Sequence, residues 1–555
     1  MGVTSHQGPE SPRRRRGSRF DWAVALLAFL LGPGPGDAQT LDVYDPLEDR
    51  LRLLQISGEA PAGSFSLRPL VFREDVTDLA GVGAQPIGWS RAGSLGSAGW
   101  SSELRLDAPE ARLRLIRNSR IPTVANDGVV WQGRGVTTAL DVGTALRWRG
   151  LRVSIRPTLV WNQNAAFTLA PVTVSGQPEY AYPWRAIDLP QRFGPDAFWT
   201  LHPGQSEVRL SGFGATAGFG TRNLWWGPGI RNAIVLSNNA GGFPHAFLGT
   251  RGPRDVGIGT LEANWIWGRL QQSDWFDPDV ENDSRYVTGL VLAYNPSFLP
   301  GLSVGGTRMF YAYVPVGGVS FSDYFLVFQG ITKQSQATAE NPRGNDERDQ
   351  MLSIFARWVL AESAFEVYAE WSRNDHSANL TDFVLEPEHS QGYTLGLQKA
   401  LALADGRRLA LRGELTHLQR APTFLLRASP PYYTHHLVTQ GYTQQGQVVG
   451  AGVGPGGNQQ HVGVDLYDSW GRVGVMLQRR VADNDAFYEW AEANGGTFND
   501  HDVSFDLGLN GLWFRAPLQL GGGVILTRQL NRYFFGRSIW NWNVSLEARW
   551  RPLAD

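Results

Sequence analysis

Residues 224–250 read LWWGPGIRNAIVLSNNAGGFPHAFLGT, a run whose side chains suit a hydroxyl-rich ligand. Trp225 and Trp226 offer aromatic platforms for the apolar C–H faces of a sugar. Arg231, Asn232, Asn238, Asn239 and His245 offer closely spaced donors and acceptors. An acidic glycan would particularly engage Arg231. Each residue also has a structural alternative. In an extended backbone Trp225 and Trp226 point to opposite sides, so at most one faces a lumen and the other packs or sits at a membrane interface. Gly227, Pro228 and Gly229 set a turn, and Asn238 and Asn239 readily bond loop backbone. A segment this rich in Gly and Asn can equally fold inward and plug a barrel.

Catalytic groupings are weaker. Asp375 with His376, His435 with His436, and Glu366 with Glu370 are the candidate pairs, but no GxSxG elbow or HExxH helix surrounds them. Asp375 and His376 follow a strand end, where polar residues are ordinary. Glu366 and Glu370 share one face of a strand and read as lumen charges paired with arginines of neighbouring strands. The expectation is therefore no enzyme, no cofactor and no metal site. Cysteine is absent, which removes thiolate ligands, disulfides and a Cys nucleophile.

The elements that must position these residues are short strands. Charge is balanced, with 50 Lys and Arg against 52 Asp and Glu, so nothing marks a nucleic-acid partner. The first residues carry Arg13, Arg14, Arg15, Arg16 and Arg19, then an apolar run from Trp22 to Leu31, then Gly36-Asp37-Ala38. That is the order of a secretory signal, with cleavage expected after Ala38. Beyond it no stretch approaches the roughly 20 apolar residues of a membrane helix.

Period-two alternation runs through the rest. Trp540, Trp542, Val544, Leu546, Ala548 and Trp550 alternate with Asn541, Asn543, Ser545, Glu547 and Arg549. Phe365, Val367, Ala369 and Trp371 alternate with Glu366, Tyr368 and Glu370; Leu140, Val142 and Trp148 alternate with Asp141, Arg147 and Arg149; Leu409, Leu411 and Leu415 alternate with Arg412 and Glu414. The apolar face repeatedly ends in an aromatic residue, as on strands that meet a membrane interface. Tight turns at Asp405-Gly406 and Trp470-Gly471, set against long polar stretches at 329–349 and 440–460, give the two unequal ends of an outer-membrane barrel. The fold class expected is all-β: a transmembrane antiparallel β-barrel of about 16 to 18 strands, wide enough for an aqueous lumen unless something fills it. A secreted sandwich or propeller is the alternative.

One early segment reads as a helix. Asp45-Pro46-Leu47-Glu48 supplies an N-cap, a Pro at the first helical position and an acid in the first turn, and Leu47, Leu51 and Leu54 share a face before Gly58. In a barrel it should pack at the periplasmic end. The domain reading is a signal peptide over 1–38, an N-terminal helical periplasmic segment over 39–70, and the barrel with its plug and extracellular loops over 71–555.

Taken together, Ile187-Asp188-Leu189-Pro190-Gln191-Arg192-Phe193-Gly194, Pro203-Gly204-Gln205-Ser206, the Trp225-Trp226-Gly227-Pro228-Gly229 run and Ser237-Asn238-Asn239-Ala240 resemble the Wzi family of capsule assembly proteins. The early helix followed by Ser66-Leu67-Arg68-Pro69-Leu70 is similar to that family's N-terminal region. The resemblance implies a barrel at the upper end of the range, about 18 strands, whose lumen is occluded partly by helical elements at the periplasmic side. It also implies an outer-membrane lectin that holds capsular polysaccharide or exopolysaccharide at the cell surface, with that glycan and outer-membrane lipid as partners. A porin or oligosaccharide channel is the nearer alternative function, and a barrel enzyme the more distant one.

Overall fold

The computed structural model describes residues 38–41, 43–73, 104–124, 126–276, 283–315, 317–332, 348–375, 379–494, 501–515 and 517–551. The signal segment expected over 1–38, apart from Ala38, lies outside these residues, as do His376 and most of the 329–349 stretch.

Twenty-two strand segments form one closed antiparallel sheet, and eight of them are collinear halves of four interrupted strands, which makes an 18-stranded barrel. The first strands are β1 (Arg105–Leu106 and Glu110–Asn118), β2 (Gly135–Trp148), β3 (Leu151–Ile155 and Thr158–Asn162), β4 (Phe198–His202 and Glu207–Gly212), β5 (Ala215–Gly220) and β6 (His245–Thr250 and Arg254–Asp255). Next come β7 (Gly259–Gln271), β8 (Ser284–Pro296), β9 (Leu302–Tyr313), β10 (Arg348–Leu360), β11 (Phe365–Asn374) and β12 (Gln391–Ala402). The wall ends with β13 (Arg408–His417), β14 (Asn458–Asp468), β15 (Gly471–Val481), β16 (Val503–Arg515), β17 (Leu518–Arg532) and β18 (Arg537–Trp550). β18 closes on β1, with Trp550 opposite Ala111 and Asn543 opposite Asn118. Each of the four interruptions holds a proline: Pro109, Pro157, Pro203 and Pro253. A residue without an N–H cannot donate to the ladder, so pairing lapses there and resumes beyond it.

The alternation expected of these strands is what the wall shows. On β18 Trp540, Trp542, Leu546 and Trp550 are exposed on the outer surface, whereas Asn541, Asn543 and Arg549 are buried within. On β11 Val367 faces out while Glu366, Tyr368 and Glu370 are buried inside. Outer Leu and Trp in lipid and polar groups in the interior is the arrangement a hydrocarbon solvent selects.

Connections at one end are tight. Asp405 and Gly406 take the left-handed conformation in the β12–β13 turn, with φ of 62° and 75°. The other end carries the long connections, so the tight-turn end is periplasmic and the long-loop end extracellular. The helix α1 (Pro46–Ile56) packs at the tight-turn end. It is capped as its sequence predicts, with the Leu47 N–H donating to Asp45 at 3.0 Å. Leu47 and Leu51 rest on Phe65 and Leu70, while Leu53 and Ile56 pack on Ala400, Ala410 and Tyr467 of the wall.

The largest hydrophobic core lies inside the barrel. Trp226, Ile234, Val235 and Leu236 of the β5–β6 connection pack on Val287, Val291, Met309 and Met351 of the wall and on Tyr432, Tyr433 and Tyr442 of the β13–β14 connection. Tyr433 fixes this layer by donating its hydroxyl to the Ile234 carbonyl at 2.7 Å and accepting from Ala451 N–H at 2.8 Å. Burying one such side chain contributes about 1.5–3 kcal/mol, so the inward fold is strongly favoured over a wet lumen. This departs from the reading of 440–460 as an external loop: Tyr442, Val448 and Ala451 are buried in the plug, and Asn458 already begins β14.

Candidate functional site

The 224–250 segment enters the lumen and turns at its floor. Trp225 and Trp226 pair with Arg68 and Leu67 as two short antiparallel strands. Both tryptophans are 0% exposed. The Arg68 guanidinium sits over the Trp225 ring at 4.4 Å and Tyr44 meets that ring edge-on at 5.3 Å. Neither Trp therefore faces an open lumen or the membrane; adjacent side chains pointing to opposite sides both find protein, because the segment is surrounded.

The turn that follows is held from above and below. The N–H groups of Ile230, Arg231 and Asn232 converge on the Glu414 carboxylate at 2.6, 3.1 and 2.8 Å. The Ile234 N–H donates to Glu370 at 3.1 Å. From the N-terminal side Arg52 donates to the Pro228 carbonyl at 2.8 Å and Arg68 to the Gly229 carbonyl at 2.5 Å. Gly227 has φ of 119°, and a Cβ there would lie 2.8 Å from the Glu370 carboxylate, so both conformation and space require glycine.

The remaining residues of the segment divide. Asn232 is buried in the plug, and His245, the first residue of β6, is buried on the wall with its ring 2.8 Å from the Phe243 carbonyl oxygen. Arg231 and Asn238 line a polar lumen cavity of about 240 Å³ beside Asp127 and Arg549. Asn239 donates to the Val448 carbonyl at 2.8 Å and reaches a second cavity of about 220 Å³ at the extracellular mouth.

That mouth cavity is the candidate site. Loops distant in sequence build it: Trp131 and Gln132 from the β1–β2 connection, Tyr182 and Trp184 from β3–β4, Gln447 from β13–β14, and Arg532, Tyr533 and Phe534 from the top of β17 and its hairpin. Trp184 stacks on Phe534 at 5.2 Å and lies 6.0 Å from Phe535, itself exposed. Arg532 covers the Tyr533 ring at 4.3 Å and donates to its hydroxyl at 2.7 Å. Asp502 accepts from Gln529 at 2.5 Å and from the Tyr533 N–H at 2.9 Å. Arg480 lines the same cavity, close enough to feel the Asp502 charge. Aromatic platforms, amides and guanidiniums facing one hollow can take a hydroxylated ring, with preference for an acidic one. Behind this surface Asp483 accepts from the Tyr182 hydroxyl and from Arg185, and caps helix α2 (Asn484–Asn494).

Sequence reasoning missed Trp184, Arg480, Arg532 and Tyr533. The signal available was the pairing of aromatics with arginine in two runs, YAYPWR at 180–185 and NRYFFGR at 531–537.

The catalytic candidates have structural partners. Glu366 bridges Arg52 and Arg357, each at 2.8 Å, as a lumen charge paired with a neighbouring-strand arginine should; Glu370 instead holds the plug backbone. His435 accepts the Val438 N–H at 3.1 Å through Nδ1, its ring 4.5 Å from His436. Asp375 ends a strand in the left-handed region, with φ of 66°.

At the opposite end the charges are closed on one another. Asp45 is bound by Arg549 at 2.8 Å and Arg551 at 2.6 Å, and Asp49 by Arg472 at 2.6 Å. Burial pushes the Asp45 carboxyl up, but the two guanidiniums and the Leu47 N–H overcome it and hold it at about 2.

A closed, lipid-facing wall around an occluded lumen, with its elaborated end outward, defines an outer-membrane β-barrel of the plugged kind. Residues 119–516 match the family profile of capsule assembly protein Wzi, and the chain belongs to that family. Among solved structures it is similar to Wzi of Escherichia coli, described as an outer membrane protein involved in group 1 capsule assembly and a carbohydrate-binding β-barrel. The TM-score is 0.60 at 12% identity, covering 92% of this chain and 99% of that one. More distant likenesses include OccAB2 of Acinetobacter baumannii, with TM-score 0.41 and 9% identity over 80% of this chain and 97% of that one. OprB of Pseudomonas putida gives 0.36 and 12% over 80% and 94%. No curated protein matches in sequence.

Proposed function

We propose that this barrel is a surface lectin without catalytic activity: it binds capsular polysaccharide or exopolysaccharide at its extracellular mouth and organises it on the cell. The observation that carries the reading is the contrast between a lumen filled by a hydrophobic core and a mouth lined by Trp184, Tyr533, Arg532 and Arg480. A conduit needs a continuous polar path, whereas a lectin needs only a surface. Asn239 contributes directly to that surface, and Trp225, Trp226, Asn232 and His245 support it by setting the plug and wall beneath. Arg231 and Asn238 face the deeper polar cavity, which shares Asp45 and Arg549 with the periplasmic closure. In the same reading residues 1–38 direct export, 39–70 form the periplasmic closure and 71–555 the membrane barrel.

Two measurements on the folded barrel test it together. In planar bilayers the protein should be electrically silent, and on a column of polysaccharide extracted from the producing cells it should be retarded. A steady pore of porin size with no retardation would replace the lectin by a channel.

A further inference from the structure

The described part of the β9–β10 connection, residues 317–332, lies along the barrel. Its Phe321–Phe328 segment, a 3₁₀ helix, lies against the outer wall of β7 to β10. Leu326 and Val327 bury against the outward residues Trp265, Tyr286 and Phe310, and the Trp265 ring meets Phe325 at 5.4 Å and Phe328 at 5.1 Å. The Trp267 indole donates to the Tyr324 carbonyl at 2.9 Å.

Beneath the end of this helix is an arginine on the lipid side of the wall. Met309 and Tyr311 belong to the lumen core, so Arg308 and Phe310, alternating with them, point out. Arg308 lies near the middle of β9, where a bare guanidinium facing hydrocarbon is among the costliest placements a barrel can make. Here it is not bare. Nε and Nη2 donate to the Gln350 side chain at 2.8 and 2.6 Å, Nη2 also to the Gly330 carbonyl at 2.7 Å, and Nη1 to the carbonyls of Val327, at 3.1 Å, and Gln329. All five N–H donors of the group are used, and the charge rests 4.7 Å over the Phe310 ring. The guanidinium thus ties the connection down onto the wall.

The side of the helix turned away from the wall carries four large rings: Phe321 is 81% exposed, Phe328 46%, Tyr324 40% and Phe325 38%. Its polar residues are gathered at the N-terminal end and bonded to one another, Asp323 accepting from the Ser320 N–H at 2.8 Å and from its hydroxyl at 2.7 Å, and Ser322 meeting the Ser320 hydroxyl at 2.9 Å. The ring surface continues the exposed Val304 and Ile354 of the adjoining strands, part of the same wall that faces lipid.

We propose that Phe321–Phe328 is a membrane-embedded strap: clamped by Arg308, it takes the place of the barrel wall over β7 to β10 and presents its aromatic outer side to lipid acyl chains. The assignment rests on the barrel alone and stands whether or not the mouth binds a glycan.

Because the chain has no cysteine, single-cysteine labelling tests it directly. Phe328→Cys and Phe321→Cys would each carry an environment-sensitive fluorophore in phosphatidylcholine vesicles, with Ser175→Cys, exposed in the β3–β4 connection at the rim, as the aqueous reference. Both strap probes should be quenched at least about twofold by lipids doxyl-labelled on the chain, position 328 more deeply than 321, and little by iodide. Adding Arg308→Leu should reverse the preference at position 328; Arg308→Lys, which keeps the charge but offers fewer donors, should shift it partway. Iodide quenching equal to that of the rim probe would overturn the proposal. Protection from both quenchers would also overturn it, since that outcome means contact with a second copy of the chain.

Discussion

The two ends of the plug solve opposite problems with the same residue types. At the periplasmic end every acid of the first helical turns is met by arginine: Asp45 by Arg549 and Arg551, Glu48 by Arg68, and Asp49 by Arg472. A little further into the lumen Glu366 is shared between Arg52 and Arg357. At the extracellular end acids stand close together. Burial first, and then the neighbouring Asp483, push the Asp485 carboxyl up to about 7 despite Arg420. Arg185 binds Asp483 at 3.0 Å and Arg420 reaches Asp485 at 3.5 Å behind the surface, while Arg480, Trp184 and Tyr533 line the mouth itself. Charges locked on one another make a closure, whereas charges and rings that line a hollow leave binding capacity for something not in the chain.

The sharpest way to break this contrast is to open the closure. Glu366→Ala leaves two guanidiniums buried without their carboxylate and should cost about 3–5 kcal/mol, read as a lower urea midpoint, with channel activity appearing in planar bilayers. Unchanged stability and continued silence would mean that the ion pairs do not hold the plug.

Acid should act on the same end. Asp45 binds its proton more weakly folded than unfolded, so its stabilisation is complete above the ordinary carboxylate value and is lost as pH falls from about 4 through about 2. The amount is about 2 kcal/mol, and Asp45→Asn should remove that stretch of the pH–stability curve.

The mouth should respond in function rather than in stability. Trp184→Ala should weaken glycan retention about tenfold, the scale of one stacked ring, with an unfolding midpoint close to that of the parent. A large loss of stability instead would make Trp184 a packing residue.

The most local effect, confined to helix α2, has the opposite pH sign to that of Asp45. Asp485 binds its proton more tightly folded than unfolded, so its contribution is complete below about 4 and declines as pH rises through about 7. Protection of helix α2 amides from hydrogen exchange should therefore fall between pH 5 and 8, and Asp485→Asn should flatten that dependence.

Much of the wall is legible in the chain because lipid imposes a period of two that nothing local obscures: Phe365 to Trp371 and Trp540 to Trp550 carry it plainly. Helix α1 is legible for a different reason, since Asp45 and Pro46 encode its start. The plug is not. Residues 418–457 bury Tyr432, Tyr433 and Tyr442 in surroundings that close around them from all sides, so no face is left polar and no period forms. The 224–250 run announces itself by composition, but its partners Glu370 and Glu414 lie on strands far along the sequence, and only barrel closure shows that they hold its turn. The mouth is the least legible part, because Trp184 of the β3–β4 loop, Arg480 of β15 and Tyr533 of the β17–β18 hairpin meet only when the barrel closes. The place of FSDYFLVF at 321–328 likewise emerges only when the register of β9 turns Arg308 outward.

The central claim is that the extracellular mouth is the glycan surface. Its most direct test is retention of the folded barrel and its Arg480→Ala variant on surface polysaccharide from the producing cells, at matched ionic strength. The parent should be retarded, and the variant should elute earlier with unchanged unfolding behaviour. Equal elution of the two, or passage of the parent without retardation, would contradict the account.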